Sequence, residues 1–268
     1  MENTLAAKPQ HGKLVPAVVK ATQILDLICA EGRPMRGAAL ARALNLSRST
    51  VHVLCGTLLE LGLLARVGPG EFAIGPRALT WASSFQNQSD LATEFNRVWD
   101  EFNVLPEETV TLSILNGTDV VYIACRNGTQ PIGISFRAGM RLPAPYTATG
   151  KAILSTMSER DIRRLFENTW PPPLTPASVP NLDALLHELA DVRARGFSID
   201  HGQSREGASC FGAPVFGAAG GSALAGVAVA LLTVSATPSA IVAITDTVRR
   251  IAARLSTRLG GGTRQGAR

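Results

Sequence analysis

"LSRSTVHVLCGTLLELGLL", residues 46–64, places hydroxyl residues, an arginine and a histidine at the head of an apolar segment. Ser47 suits a helix N-cap, because its hydroxyl can accept a hydrogen bond from an orphan backbone N–H of the first turn. The spacing predicts a helix to about residue 61, with Gly62 just past its end. Val51, Leu54, Leu58 and Leu61 share its apolar side, which is expected to face other helices. Upstream, Val18, Val19, Ala21, Ile24, Leu25, Leu27 and Ile28 recur at helical spacing, until "EGRPM" (31–35) breaks the pattern. A short second helix is expected over about 36–44, followed by a tight turn at Asn45 and Leu46. Downstream, two β-like runs, 63–67 and 71–74, flank "GPG" and predict a small hairpin. Three helices and a hairpin, with a short turn between the last two helices, make a winged helix-turn-helix.

In such a module the head of the last helix enters the DNA major groove. Ser47, Arg48, Ser49, Thr50 and His52 are therefore expected to touch DNA, arginine at guanine edges and the hydroxyls at bases or phosphates. Lys20 and Arg36 are expected phosphate contacts. A capped surface helix would carry similar polar residues, so charge is a useful second observation. Residues 1–88 hold nine Lys or Arg against five Asp or Glu, 9 − 5 = +4, whereas residues 89–268 hold 17 against 16, a net of +1. The basic excess of the 268-residue chain thus lies in its first third, where a polyanion contact is expected.

Composition excludes several classes. Apolar residues make up 46% of the chain, enough for packed cores. The first sixteen residues contain no apolar run of a secretory signal. The longest apolar run, "ALAGVAVALLTV" (223–234), is too short to span a bilayer as a helix and reads as a buried strand. A cytoplasmic protein without a membrane contact is expected. Cys29, Cys55, Cys125 and Cys210 are widely spaced and form no CxxC pair, so neither a zinc finger nor a redox motif is indicated.

From Thr109 the periodicity changes. "TVTLSIL", "DVVYIACR" and "IGISFR" read as strands separated by Asn-Gly turns. A helix is expected from near Thr149, another from Ser158 to about Phe166, and an amphipathic one ending at Gly196. The prolines of "TWPPPLTPASVPN" require an extended loop. "FSID", "CFGAPVF" and "SALAGVAVALL" read as three further strands before a last helix over 239–259. The whole is an α+β chain with an antiparallel sheet in its second part. The expected divisions are an arm (1–14), the winged helix-turn-helix (15–75), a linker helix (76–103), a second domain (104–259) and a frayed tail (260–268). The linker carries a polar break at "QNQSD", and its Leu79, Trp81 and Phe85 suit packing against a second chain.

Four segments in order resemble the IclR family of bacterial transcriptional regulators. They are "AVVKATQILDLI" (17–28), "ALARALNLSRSTVHVLCGTLLELGLL" (39–64), "RLPAPYTATGKAIL" (141–154) and "RARGFSIDHGQSREGASCFGAPVF" (193–216). The resemblance covers about 15–259. It implies a winged-helix DNA-binding domain, a GAF-like effector domain, dimers or dimers of dimers on a palindromic operator, and a small organic acid as effector. It implies no cofactor. Where the family often has an arginine after the position of His52, this chain has Val53.

Free N–H groups at the head of the helix near Thr149 suit an anion, and the resemblance places effector contacts at the same Ala148 and Thr149. It also implies Asp200, Glu206 and Cys210 as polar pocket residues. On "ALAGVAVALL" the family often has two serines that correspond to Ala228 and Ala230. Period-two spacing puts both on one face, so that wall is expected to be apolar and the effector to pair a polar head with an apolar or aromatic body. Ile134, Phe136 and Met140 are candidates for the remaining wall. Other readings are a DNA-binding protein without a ligand, a metal sensor using His201, Glu206 and Cys210, and a hydrolase using Cys210 with His201 and Asp200.

Overall fold

A computed structural model describes residues 14–87, 90–102, 107–129 and 135–261. The expected arm and tail lie largely outside these residues. Gly260 and Gly261, however, are folded back: Gly260 bridges Gly217, and Gly261 donates its N–H to Ser256. The chain divides into two compact units, 1–88 and 89–268.

In the first unit α1 (Pro16–Glu31) begins with proline, whose fixed φ suits the first helical position, and ends at Gly32 in the left-handed region. β1 (Met35–Arg36) and α2 (Gly37–Ala43) follow. The turn to α3 (Arg48–Glu60) carries Asn45 at φ 52°, a conformation asparagine tolerates better than most residues. Ser47 caps α3 by accepting from Thr50 N–H at 3.1 Å. β2 (Leu64–Gly68) and β3 (Glu71–Ile74) form the wing, and β1 joins β3 as a third strand that the sequence pattern does not show. Ile24, Ile28, Leu40, Val51, Cys55, Leu58 and Phe72 make the core. The inward stripe of α3 includes Cys55, whereas Leu61, just past the helix end, is 45% exposed. The expected linker is two helices, α4 (Arg77–Asn87) and α5 (Asp90–Phe102), and the division into units falls between them.

The second unit is built on a six-stranded antiparallel sheet, ordered β6-β5-β4-β9-β8-β7. Its strands are β4 (Thr109–Asn116), β5 (Asp119–Arg126), β6 (Arg141–Pro143), β7 (Ser198–His201), β8 (Ala208–Val215) and β9 (Ala225–Leu232). The described part of "IGISFR", residues 135–137, is not a strand; β6 pairs with β5 in its stead. Its helices are α6 (Ala148–Leu154), α7 (Glu159–Phe166), α8 (Leu182–Arg195) and α9 (Pro238–Arg258), in addition to α5. Alternation along each strand divides the side chains between two cores. Val227, Val229 and Leu231 of β9 face α5 and α9, with Phe95, Val98, Val248 and Ile251. Ala228 and Ala230 face the other way, towards the core of Tyr146, Leu154, Ile162, Leu185 and Leu189.

α6 lies directly on that second face. A Cβ at Gly226 would stand 2.4 Å from Thr149 O, and one at Gly212 would stand 2.8 Å from Ala148 O. Both glycines are required by close backbone approach rather than by their own conformation. Gly226→Ala must push α6 off the sheet, and is expected to lower stability by about 1–3 kcal/mol in urea denaturation.

Candidate functional site

The head of α3 is an exposed polar surface. Arg48, Ser49 and His52 are exposed, and Thr50 is half-buried. The Ser47 hydroxyl is occupied by its cap and by contacts of 2.9 Å to both Ser49 Oγ and Thr50 Oγ1. It therefore shapes this surface more than it offers a free group. Lys20 lies half-buried on α1. Arg36 is exposed but paired with Glu71 at 2.9 Å, an exposed ion pair of small energy that a phosphate can replace.

In the second unit Thr111, Tyr122, Phe136, Ala148, Thr149, Asp200, Ser204, Cys210, Ala228 and Ala230 surround one enclosed space. Pairing brings them together: Cys210 stands opposite both Asp200 and Ala230, and Ala228 opposite Thr111. α6 contributes the head of its first turn, where Thr147 caps the helix by accepting from Gly150 N–H. Phe136 closes one side. Its ring lies 4.8 Å from that of Tyr122, and its backbone is held by Asn127 at 3.0 and 3.2 Å. As it stands the cavity measures about 10 Å³, room for a single water molecule.

Two of the expected effector residues are not among these. Glu206 is exposed in the β7–β8 turn and lines a separate, open cleft with His201, Gly207 and Thr233. It sits beyond the strand pairing that turns Asp200 and Cys210 inward. Met140, 36% exposed, lies in the turn before β6, where its carbonyl accepts from Tyr122 N–H. Ile134 lies outside the described residues. Thr111, Tyr122 and Ser204 were not singled out from the sequence, though the alternation of β4 and β5 contains the signal for the first two.

The electrostatics centre on Asp200, which is buried. Its carboxylate accepts from Gln203 N–H at 2.8 Å, from Ser204 N–H at 3.2 Å and from the Ser204 hydroxyl. Burial raises its pKa, against these hydrogen bonds and the nearby Lys151. Burial likewise drives Cys210 and Tyr122 well above their ordinary values, and Asp200 adds to both. The Thr149 hydroxyl, also buried, faces the Tyr122 phenol and partly offsets the rise of its pKa. Behind the cavity wall lies a buried lysine that the sequence pattern does not reveal. Lys151 donates to Glu188 Oε2 at 2.5 Å, Gln203 Oε1 at 2.9 Å and Ile199 O at 3.0 Å. Burial lowers its pKa, and Glu188 opposes that shift.

This arrangement does not suit the metal or hydrolase readings. Among the described residues no group of three or more His, Cys, Asp or Glu could hold a metal ion. A thiol held protonated is a poor nucleophile. His201 follows Asp200 on β7 and therefore faces away from it, with Nδ1 2.9 Å from Ser209 Oγ.

Comparison with known proteins identifies the family. The family model of the bacterial transcriptional regulator IclR C-terminal domain matches residues 84–257, and that of the IclR helix-turn-helix domain matches residues 17–68. The chain belongs to the IclR family. Its members are DNA-binding transcriptional regulators and not enzymes, and this IclR chain is one of them. The HTH-type transcriptional regulator XynR of Escherichia coli is 27% identical over 74% of this chain and 79% of its own length. The crystal structure of the repressor BlcR of Agrobacterium tumefaciens is 43% identical, covering 94% of this chain and 100% of the other, with a TM-score of 0.61. That of Thermotoga maritima IclR is 26% identical, covering 91% and 99%, with a TM-score of 0.70. Among the described residues no helix is long and apolar enough to cross a membrane.

The buried Asp200 makes stability depend on pH in a definite sense. Its proton is held more tightly in the folded than in the unfolded chain. Its contribution is complete below the ordinary value of 3.8 and is lost as pH rises through the higher folded value. Asp200→Asn removes that loss. In paired urea titrations the variant should gain stability relative to the native chain from about pH 4 upward, then level off. A flat or falling difference would mean that Lys151 and the hydrogen bonds outweigh burial.

Proposed function

We propose that this regulator controls a catabolic operon in the cytoplasm by sensing a small organic acid with an apolar or aromatic body. Arg48, Ser49, Thr50 and His52 read the operator, with Ser47 capping their helix and Lys20 and Arg36 on phosphates. The observation that carries the effector reading is the enclosed cavity, which joins the head of α6 and the buried Thr149 hydroxyl to the methyl wall of Ala228 and Ala230. The effector's carboxylate would lie against Ala148 and Thr149, and its body against the alanines, Cys210 and Phe136. Replacing hydroxyls by methyls on that wall removes partners that a very small polar acid would need. A solved IclR homologue from Microbacterium hydrocarbonoxydans, 18% identical to this chain, is complexed with 4-hydroxybenzoate.

The closed cavity admits nothing larger than water, so an effector of this kind must bind an opened form. Preferential binding to one of two conformations is what shifting operator affinity requires. Leu79, Trp81 and Phe85 on α4 are exposed, and we assign them to pairing with a second copy of the chain in a homodimer or a dimer of dimers.

A thermal-shift screen of the full chain against aliphatic and aromatic carboxylates tests the effector class, since a ligand at free concentration L stabilises the folded chain by RT ln(1 + L/Kd). A rise that grows with the logarithm of concentration is expected with an aromatic acid such as 4-hydroxybenzoate, and none with pyruvate or glyoxylate. The double change Ala228→Ser and Ala230→Ser should move the preference towards the smaller acids. A rise with only the smallest acids on the native chain would overturn the apolar wall. No rise with any acid would favour a regulator without a small-molecule ligand. Arg48→Ala should abolish sequence-specific DNA binding while leaving the fold intact; unchanged binding would overturn the assignment of α3.

A further inference from the structure

The outer face of α3 carries an apolar residue for which the first unit has no use. Val53 is 65% exposed, although its helix buries Val51, Cys55 and Leu58 on the opposite side. A β-branched residue is a poor choice for an exposed helix interior, where it neither packs nor favours the helix. Its neighbours along the same face, one turn before and one turn after, are Ser49 and Gly56. A Cβ at Gly56 would meet nothing within 4 Å, so the space above the helix there is open. The Thr57 hydroxyl is turned back onto Val53 O at 3.0 Å. Ser49, Val53 and Gly56 thus form a low, uncharged strip, with Arg48 and His52 to one side.

Val53, at the middle of this strip, offers a phosphate no donor, and its exposed surface gains free energy only when apolar surface covers it. On the face of a helix that enters the major groove, the apolar group offered by base edges is the thymine C5 methyl. The small side chains of Ser49 and Gly56 let the helix approach the base pairs closely enough for Val53 to touch it. We propose that Val53 is a specificity-determining residue that reads a thymine methyl in each operator half-site. The inference rests on α3 being the recognition helix.

The test begins with the full chain and a random duplex library, from which the preferred sequence is selected. Each thymine of that sequence is then replaced singly by deoxyuridine, which removes the methyl and nothing else. For the native chain one thymine per half-site should be sensitive, with Kd rising about fourfold on loss of its methyl, the worth of one buried methyl group. Val53→Ala should bind the thymine duplex more weakly and lose that sensitivity at the same position. Because Val53 is exposed, the variant should melt within a degree or two of the native chain. Deoxyuridine tolerated at every position, or a Val53→Ala chain as sensitive as the native one, would overturn the proposal. Failure to enrich any sequence would overturn the reading of α3 itself, a distinct result.

Discussion

The seat of α6 on the sheet is the constraint on which the second unit depends. With Gly226 and Gly212 beneath it, the first turn of the helix meets the strands backbone to backbone rather than across a layer of side chains. That approach brings the N-terminal turn of α6 level with the inward side chains of β4, β8 and β9. The cavity is the gap left at the edge of this contact, where Ala148 and Thr149 stop and Tyr122 and Phe136 begin. A side chain in place of either glycine would raise the helix and change the shape of every wall at once.

The same seat creates an electrostatic problem that the fold resolves locally. Lys151 lies one turn beyond Ala148, on a helix with nowhere to send a long cation except into protein. Glu188 from α8, Gln203 from the β7–β8 turn and the carbonyl of Ile199 meet it there. Buried charge is tolerated only when paired and hydrogen-bonded, and this cluster joins four elements of the unit at one atom. Asp200 shares the Lys151 charge while its carboxylate also orders the turn at Gln203 and Ser204. The turn that frames the cavity and the lysine that ties α6 to α8 are therefore one network. Any displacement at Asp200 or Ser204 would reach both.

The first unit shows a different economy of means. Its stability lies in a small core of α1, α2, α3 and the wing, and the head of α3 is left exposed. The hydroxyl of the capping serine is engaged by the helix itself, so the free side chains of this surface are those of the residues that follow it. One of those is apolar, which makes the surface chemically two-sided: charged or polar at Arg48 and His52, methyl at Val53.

Local rules written in the sequence carried the element map of the first unit and most of the second. Ser47 as a cap, Gly32 and Gly196 as helix ends, and the alternation that turns Ala228 and Ala230 to one face all follow from interactions within a few residues. These depend on backbone geometry alone, so a single sequence displays them. The position of a polar residue relative to a cavity is another matter, because it is set by strand register and by partners distant in the chain. Asp200 and Glu206 lie six residues apart in one motif, yet only the strand residue points inward, while the turn residue is left in solvent. Met140 and Phe136 differ in the same way, one in an exposed turn and one stacked on Tyr122. Lys151 reads as an ordinary helical lysine until α8 and the β7–β8 turn are placed around it. The two-residue strand β1 exists only because β3 is there to pair with it. The sequence by itself determined most of the elements and the family; tertiary structure alone decided which side chains share a cavity, because burial and pairing are properties of neighbours the chain brings from far away.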